Sequence, residues 1–204
     1  RPGRGAVVCH DLADMDDVER LAAEVLAAHG HVDVLVNNAG RSIRRAVADS
    51  VDRFHDVERV TQLNYFGAVR LTLALLPSMI DRGAGHVVQV STLGTLFHPP
   101  RFSAYLGAKA ALEQYSRVLA TEVAPDGVTV SVVHMPLVRT AMIAPTRRYR
   151  RAPAMTPRQA AALVARAIAD RPTQVSLGLR PVATLLDAVL PRAIQSAWTR
   201  ALQR

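Results

Sequence analysis

Residues 86–112 read HVVQVSTLGTLFHPPRFSAYLGAKAAL, and this stretch decides how the rest of the chain is interpreted. The run from His86 to Val90 predicts a short buried strand, and a polar loop then leads into a helical pattern that carries Tyr105 and Lys109. Residues four apart lie one turn apart on the same face of a helix, so the Lys109 ammonium is expected beside the Tyr105 phenol. The pair predicts a proton donor or acceptor whose acidity is set by a neighbouring charge.

Lys109 is unusual because it is the only lysine among 25 basic residues, and all the others are arginines. A lysine is a compact point charge on a flexible stem, whereas an arginine is a planar fork that stays charged. The use of lysine at a single position therefore favours a chemical role there. The alternative is that one lysine is an accident of composition, and the tyrosine one turn earlier weakens that alternative.

Four stretches, in this order along the chain, resemble the active-site signature of the short-chain dehydrogenases/reductases. The resemblance extends from about Val7 to Thr140. The loops around these motifs are most similar to actinobacterial-type reductases that act on fatty acyl or long-chain carbonyl substrates. The four stretches are Asn37-Asn38-Ala39-Gly40, Asn64-Tyr-Phe-Gly67, Ser91-Thr92 and Tyr105-Leu-Gly-Ala-Lys109.

The resemblance implies an α/β fold with a doubly wound parallel sheet of the Rossmann type. Residues 1–204 would form a partial domain of this kind, in which residues 141–204 supply a substrate loop and a C-terminal helical region. The segment Gly5 to His10 already resembles the third strand of the family, and it reads as a short buried strand. The sequence shows no Gly-rich pyrophosphate turn after a first strand, so we expect an N-terminally truncated fold.

The resemblance also implies four catalytic residues. Tyr105 would give or take the substrate proton, and Thr92, where the family more commonly has Ser, would hold the substrate oxygen, with Ser91 as the fallback. Lys109 would lower the pKa of the Tyr105 phenol from about 10 toward neutrality and would bind the nicotinamide ribose. Asn64 would lie at a local helix distortion and hold a water in the proton relay, and the alternative for it is a satisfied core amide.

A nicotinamide cofactor follows from the same resemblance, and we expect NADP while leaving NAD open. Asp11 would contact the adenine, although an Asp at the end of a strand also caps turns. The loop that ends at Gly40 would lie at the ribose and brace the sheet, and a turn built from Asn and Gly is the alternative. The implied cofactor contacts are Asp11, Leu12, Asn37, Ala39, Gly40, Tyr105, Lys109, Pro136, Val138 and Thr140.

Length and charge limit the class of protein. A chain of 204 residues that is 50% hydrophobic can bury one sizeable core. The formal charge of +8 does not by itself indicate a nucleic-acid partner, because most arginines are scattered along the chain. The exceptions are Arg41, Arg44, Arg45 and the run at 147–151, which fit either an anion site for a phosphate, acyl-CoA or membrane surface, or a solvated loop face.

Several further expectations concern surroundings and assembly. The seven His residues show no metal-ligand spacing, so no metal is expected. The single cysteine, Cys9, cannot form an internal disulfide, which predicts a cytoplasmic protein and an inert core position. No uninterrupted apolar run of 18 residues occurs, so no spanning helix is expected. The resemblance implies a homo-oligomer, and the amphipathic end around Trp198 would line a long-chain pocket, touch a membrane surface, or serve in core or dimer packing.

Two functions of different class follow from these observations. The first is an NAD(P)-dependent oxidoreductase that transfers hydride to or from a small-molecule carbonyl or alcohol, with a lipid-derived substrate under the narrower resemblance. The second is a non-catalytic remnant that acts as an interaction or membrane-associated module. The second arises because a missing phosphate site would remove most of the cofactor affinity.

Overall fold

A computed structural model of the chain describes residues 5–144, 146, 149, 151–176, 178, 189 and 191–203, and within 191–203 it describes the side chains of residues 192, 193 and 196–200. Strands and helices alternate along most of the chain. In chain order they are α1 (Met15–His29), β1 (Val34–Asn37), α2 (Phe54–Thr61), a π-helical segment (Gln62–Gly67), α3 (Ala68–Asp81), β2 (Gly85–Thr92), α4 (Gly94–Phe97), α5 (Ser103–Val123), β3 (Val128–Met135), α6 (Pro157–Asp170), β4 (Gln174–Val175) and α7 (Pro191–Gln203).

The four strands of the described chain form one parallel sheet in the order β1-β2-β3-β4. Side chains alternate between its two faces, and the register aligns Leu35, Val87 and Val130 in one row. That face packs against α1, α3 and α5, whereas Val88 and Val133 on the opposite face pack against α6. Helices on both faces of a parallel sheet confirm the predicted α/β doubly wound class.

The helix ends follow local sequence rules. The Asp14 side chain accepts hydrogen bonds from the backbone N–H groups of Asp16 and Asp17 in the first turn of α1, and the helix ends at Gly30 with a positive φ of 76°. Thr156 begins α6 with a reciprocal capping box to Gln159. Because β1, β2 and β3 pair in parallel, their carboxyl ends lie at one edge of the sheet.

A continuous helical stretch, Phe54–Asp81, combines α2, the π-helical segment and α3. An 18-residue window within its 28 residues reaches a mean hydropathy of 1.3, so by length and composition alone it could cross a bilayer, a finding that a buried core helix produces as well. Leu71, Leu75 and Met79 on this stretch lie in the hydrophobic core against the sheet. Its apolar face is therefore already used within the domain.

The predicted strand at Gly5 to His10 is wrong. The segment has no strand hydrogen bonding and is largely exposed, with Val7 91% accessible, because no strand in the described part of the chain pairs with it. Cys9 is therefore an exposed thiol and not the core residue that was expected. The edge strand β4 covers only Gln174–Val175.

Gly67 offers a test of the packing between the π-helical segment and the N-terminal loop. A Cβ at this position would collide with the backbone carbonyl oxygen of Leu12, which cannot move as a side chain can. We expect Gly67→Ala to lower the free energy of unfolding by about 1–3 kcal/mol in urea denaturation.

Gly107→Ala on α5 is the matched control, because a Cβ there would enter open space. Replacing an exposed helical glycine by alanine should raise the free energy of unfolding by about 0.5–1 kcal/mol. Equal effects of the two substitutions would contradict the close packing at Gly67.

Candidate active site

A cavity of about 1320 Å³ opens at the carboxyl edge of the parallel sheet. Ligands of open α/β sheets bind at this edge. Its walls come from the loops after β1, β2 and β3 and from the first half of α5, with a contribution from α7. The volume exceeds that of a typical site for one small ligand, so a cofactor and a substrate can be accommodated together.

Thr92, Tyr105 and Lys109 all line this cavity. The Lys109 side chain is 4% exposed, and its Nζ donates a hydrogen bond of 2.8 Å to the Val90 carbonyl oxygen on β2. The Thr92 Oγ1 accepts the Gly94 backbone N–H at 3.1 Å and is hydrogen-bonded to the Tyr105 phenol. The three groups that the sequence placed in one small volume therefore do lie together.

The structure does not show the effect on the Tyr105 pKa that was expected of Lys109. Burial raises the pKa of the Tyr105 phenol, and the hydrogen bond from Thr92 lowers it by less. Burial also lowers the pKa of Lys109 to about 8, against the opposing charge of Glu113. The prediction that Lys109 brings the phenol pKa toward neutrality is wrong for this arrangement, because the ammonium points to the Val90 carbonyl and is itself poorly solvated.

Ser91, the fallback for Thr92, is engaged elsewhere. Its hydroxyl donates a short hydrogen bond to the Glu113 carboxylate, whereas the Thr92 hydroxyl is the one beside Tyr105. The geometry therefore favours Thr92 as the hydroxyl that faces a substrate oxygen.

Asn64 lies in the π-helical segment, so the helix distortion expected at this position is present. Its buried amide donates to the carbonyl oxygens of Arg41 at 2.7 Å and Val60 at 2.8 Å, and its Oδ1 accepts the Arg41 N–H at 3.2 Å. The side chain is thus a satisfied core amide that grips the loop after β1. The water-holding role of Asn64 stays a prediction.

Gly40 shows how tightly that loop is held. A Cβ on Gly40 would come within 2.7 Å of the Asn64 Oδ1 and 3.7 Å of the Lys109 Nζ. Only a glycine lets the backbone pass this close to both groups. The wall beside Lys109 is therefore formed by the Gly40 backbone without a side chain, and a flat ligand can lie close to such a wall.

The structure divides the implied cofactor contacts into two groups. Asn37 points away from the cavity and donates to the Thr72 Oγ1 at 3.0 Å, so it braces β1 against α3, and its neighbour Asn38 lines the cavity in its place. Asp11 accepts the Ala13 N–H at 2.9 Å, which is the turn-capping alternative, and Leu12 packs against the core. The contacts that do line the cavity are Ala39, Gly40, Tyr105, Lys109, Pro136, Val138 and Thr140.

The residues present fit a nicotinamide cofactor. The backbone cradle at Gly40, the Lys109 amine and the loop after β3 face one another across the cavity. Met155 pins that loop, because its N–H donates to the Leu137 carbonyl at 2.8 Å and its carbonyl accepts the Arg139 N–H at 2.9 Å. Leu137 takes part in this pairing through its carbonyl oxygen.

Three aromatic side chains, Phe97, Phe102 and Trp198, give the cavity an apolar part. Phe102 stacks on Tyr149 with ring centroids 6.4 Å apart, and it also meets Tyr105 edge-on at 6.5 Å. The Trp198 indole N–H donates to the Phe97 carbonyl at 2.6 Å, which brings α7 to the cavity wall. Trp198 therefore agrees with the predicted pocket-lining role. In the same amphipathic end, Val189 is 65% exposed, and the residues at 182, 185, 186 and 190 and the side chain of Ile194 lie outside the described residues.

The two clusters of arginines, at 41–45 and at 147–151, were predicted to form an anion site or a solvated loop face. Arg44 lines the cavity, whereas Arg45 pairs with Asp56 at 2.8 Å and so supports the loop. In the run at 147–151, the residues at 147, 148 and 150 lie outside the described part of the chain. Among the residues that the structure describes, no three His, Cys, Asp or Glu side chains are grouped to hold a metal ion.

Sequence reasoning missed Glu113, His134 and Phe97. Glu113 follows Lys109 at the same four-residue spacing that links Lys109 to Tyr105, so its place behind the site was readable from the helix period. His134 and Phe97 carried no such local signal, because only the packing of β3 and α7 brings them to the site.

A parallel sheet with a Tyr-Lys helix at its carboxyl edge defines the class of this protein. A family model described as short chain dehydrogenase matches residues 3–151. The chain belongs to the short-chain dehydrogenase family.

Two curated relatives with the same printed name are similar to this chain over most of its length. The chain is 48% identical over 189 residues to the "Fatty acyl-CoA reductase" of Acinetobacter baylyi, a match that covers 93% of this chain and 64% of the relative. It is 42% identical over 195 residues to a "Fatty acyl-CoA reductase" of Mycobacterium tuberculosis, covering 95% of this chain and 65% of the relative. The chain thus spans a little less than two thirds of the length of these curated relatives.

Solved structures agree with the fold. A short-chain dehydrogenase from Streptomyces avermitilis superposes with a TM-score of 0.80 at 34% identity, covering 99% of this chain and 82% of that one. A metagenomic short-chain oxidoreductase in complex with NADP gives a TM-score of 0.62 at 29% identity, covering 66% of this chain and 60% of that one.

The solitary lysine allows a direct test of the site's electrostatics. With lysine labelled at its ε-carbon, NMR will show one side-chain resonance, and we expect it to titrate near pH 8 instead of 10.5. The amine is then protonated below about pH 8 and neutral above it, because burial disfavours the charged form. A midpoint at the ordinary lysine pKa would show that Lys109 is solvated and that the described site is wrong.

Proposed function

We propose that the protein is an NADP-dependent reductase of long-chain acyl or carbonyl compounds, with a fatty acyl-CoA thioester or the related aldehyde as substrate. The observation that carries this proposal is a single cavity with two unlike halves. Thr92, Tyr105 and Lys109 converge on its polar half, and Phe97, Phe102 and Trp198 line the other. The polar half suits a carbonyl that is reduced, and the apolar half suits an alkyl chain.

Each residue has a separate role in the proposed reaction. When bound, a nicotinamide cofactor supplies the hydride, and Gly40, Lys109, Pro136, Val138 and Thr140 would hold it. Thr92 donates a hydrogen bond to the substrate carbonyl oxygen and orients it. Tyr105 gives its proton to that oxygen, and its raised pKa keeps the phenol protonated at neutral pH, which is the form that reduction requires. With a thioester, the overall reduction to the aldehyde releases the thiol of CoA.

Lys109 lies one turn after Tyr105 on α5 and lines the same cavity. Its pKa of about 8 places its charge change close to neutral pH. The amine can therefore replace the lost proton in the next cycle.

The choice of NADP rests on two supports. Arg44 lies on the cavity wall, where a cation suits a cofactor phosphate, and a related short-chain oxidoreductase was solved with NADP. The fatty acyl substrate rests on the apolar half of the cavity and on the relatives named as fatty acyl-CoA reductases. The non-catalytic alternative predicts that the chain binds no cofactor, which a fluorescence titration with NADPH decides.

Assembly and location complete the proposal. We place the protein in the cytoplasm as a homo-oligomer, with membrane contact through the C-terminal region. The free thiol of Cys9 supports a reducing compartment, and the exposed apolar side chains Phe66, Leu73 and Val118 support an interface on the helices of one face. Sedimentation of the full chain tests the assembly.

Tyr105→Phe tests the chemistry most directly. Removal of the hydroxyl takes away the proton donor and keeps the ring in its contact with Phe102. We expect the rate of NADPH-dependent reduction of decanoyl-CoA or decanal to fall by about 10²–10⁴-fold. The dissociation constant of NADPH should stay unchanged in the same preparation.

Tyr115→Phe is the matched control, because Tyr115 lies on the same helix and packs edge-on against Tyr65 outside the cavity. This variant should keep its activity. A Tyr105→Phe protein that turned over at the rate of the unchanged protein would refute the assignment of the proton donor.

Trp198 reports on the apolar half because it is the only tryptophan of the chain. Decanoyl-CoA should shift its fluorescence emission to shorter wavelength, since the acyl chain would displace water from the indole. Butanoyl-CoA has the same CoA group and a chain too short to reach the indole, so it should leave the emission unchanged. Identical responses to both thioesters would place the alkyl chain elsewhere.

A further inference from the structure

Glu113 is a buried carboxylate that the proposed reaction does not use. It is 5% exposed and lies on α5 one turn after Lys109 and two turns after Tyr105, so the three side chains share one stripe of the helix. It does not line the cavity. A buried acid needs charged or hydrogen-bonding partners, and those of Glu113 come from three different elements.

One oxygen of this carboxylate holds the turn that carries Thr92. The Glu113 Oε1 accepts a short hydrogen bond from the Ser91 hydroxyl and one of 2.7 Å from the Thr95 Oγ1. Ser91 and Thr95 stand on either side of Thr92, and the Thr95 Oγ1 also lies 2.8 Å from the Thr92 carbonyl oxygen. The turn that carries Thr92 is therefore held by hydrogen bonds to Glu113 from the residue before it and from a residue after it.

The second oxygen connects the site to β3. The His134 Nε2 lies 3.2 Å from the Glu113 Oε2, with an alignment less favourable than that of an ideal hydrogen bond. His134 is fully buried and immediately precedes Met135 and Pro136 of the cavity wall. Glu113 thus joins the ends of β2 and β3 to the helix that carries Tyr105 and Lys109.

Glu113 is surrounded by groups that favour its ionised form. Burial would raise the pKa of the carboxyl, but the contacts from His134, Ser91 and Thr95 outweigh it and hold the pKa below its ordinary value. Charged and titratable groups around the carboxylate are Lys109 and Arg117 on α5 and His134 on β3, with the Arg117 NH2 3.8 Å away.

Of the described elements that pack against α5, α2 carries the acids Asp56 and Glu58. Asp56 is engaged by Arg45 and Arg53, and Glu58 is exposed. An ionised Glu113 favours the protonated form of Lys109 against the effect of burial.

We propose that Glu113 is a positioning residue, which holds the Thr92 hydroxyl against Tyr105 and sustains the charge of Lys109 without touching the substrate. The catalytic part of this statement rests on the proposed function. The electrostatic part does not, because it concerns two side chains of the chain alone.

Glu113→Gln tests both parts. The amide has nearly the same shape but no charge, so the single lysine resonance should titrate at a lower pH than the value of about 8 expected for the unchanged protein. The kcat of acyl or aldehyde reduction at neutral pH should fall by about 10²-fold through misplacement of Thr92, with the KM for NADPH little changed. Glu113→Asp retains the charge and should restore most of the lysine midpoint.

Glu122→Gln is the matched control, since Glu122 is an exposed acid on the same helix. It should move neither the lysine midpoint nor kcat. If Glu113→Gln does not fold, Thr95→Val removes one hydroxyl of the grip at nearly constant shape and should lower kcat with KM unchanged.

An unchanged lysine midpoint in folded Glu113→Gln, or an unchanged kcat in Thr95→Val, would overturn the role of Glu113. The same measurements distinguish a failure of the proposed function from a failure of the role of Glu113. In that case the unchanged protein reduces none of the substrates, while the lysine titration still responds to Glu113→Gln.

Discussion

The burial of one ammonium group is the constraint on which the site depends. Lys109 lies on α5 where that helix packs against β2, and its charge is met by the Val90 carbonyl and the nearby Glu113 carboxylate. Removing a charge from water is costly, so the surrounding groups must be held in place for the lysine to stay there. The grip of Asn64 on the loop after β1 and the glycine at position 40 are parts of the same arrangement.

Much of this arrangement could be predicted from local sequence. Apolar runs followed by helical periods indicated the parallel sheet, and the four-residue spacing indicated that Tyr105 and Lys109 share a face. The resemblance of the Asn64-Tyr-Phe-Gly67 stretch implied a helix distortion at Asn64, and the helix is distorted there. Each of these features depends on residues close together in the chain, where period and spacing carry the information.

The features that could not be predicted depend on tertiary packing between segments that are distant in the chain. Gly5 to His10 has the composition of a strand, but a strand forms only beside another, and the described chain offers none. The Tyr105 pKa could not be read from spacing, since the direction depends on burial and on where the ammonium points. Asn37, the last residue of β1, and Asn38, which follows it, point in different directions, because successive side chains of an extended chain face opposite sides.

The single lysine also has a consequence for protein chemistry. Reagents that acylate primary amines usually modify many surface lysines, and here the sequence offers them one side chain, at the floor of the cavity. Only the neutral amine reacts, and a pKa of about 8 makes that form abundant under mildly alkaline conditions. An α-amino terminus reacts with the same reagents, so the labelling has to be read on the peptide that contains Lys109. On that peptide, the extent of labelling by a small amine-directed probe measures entry into the cavity.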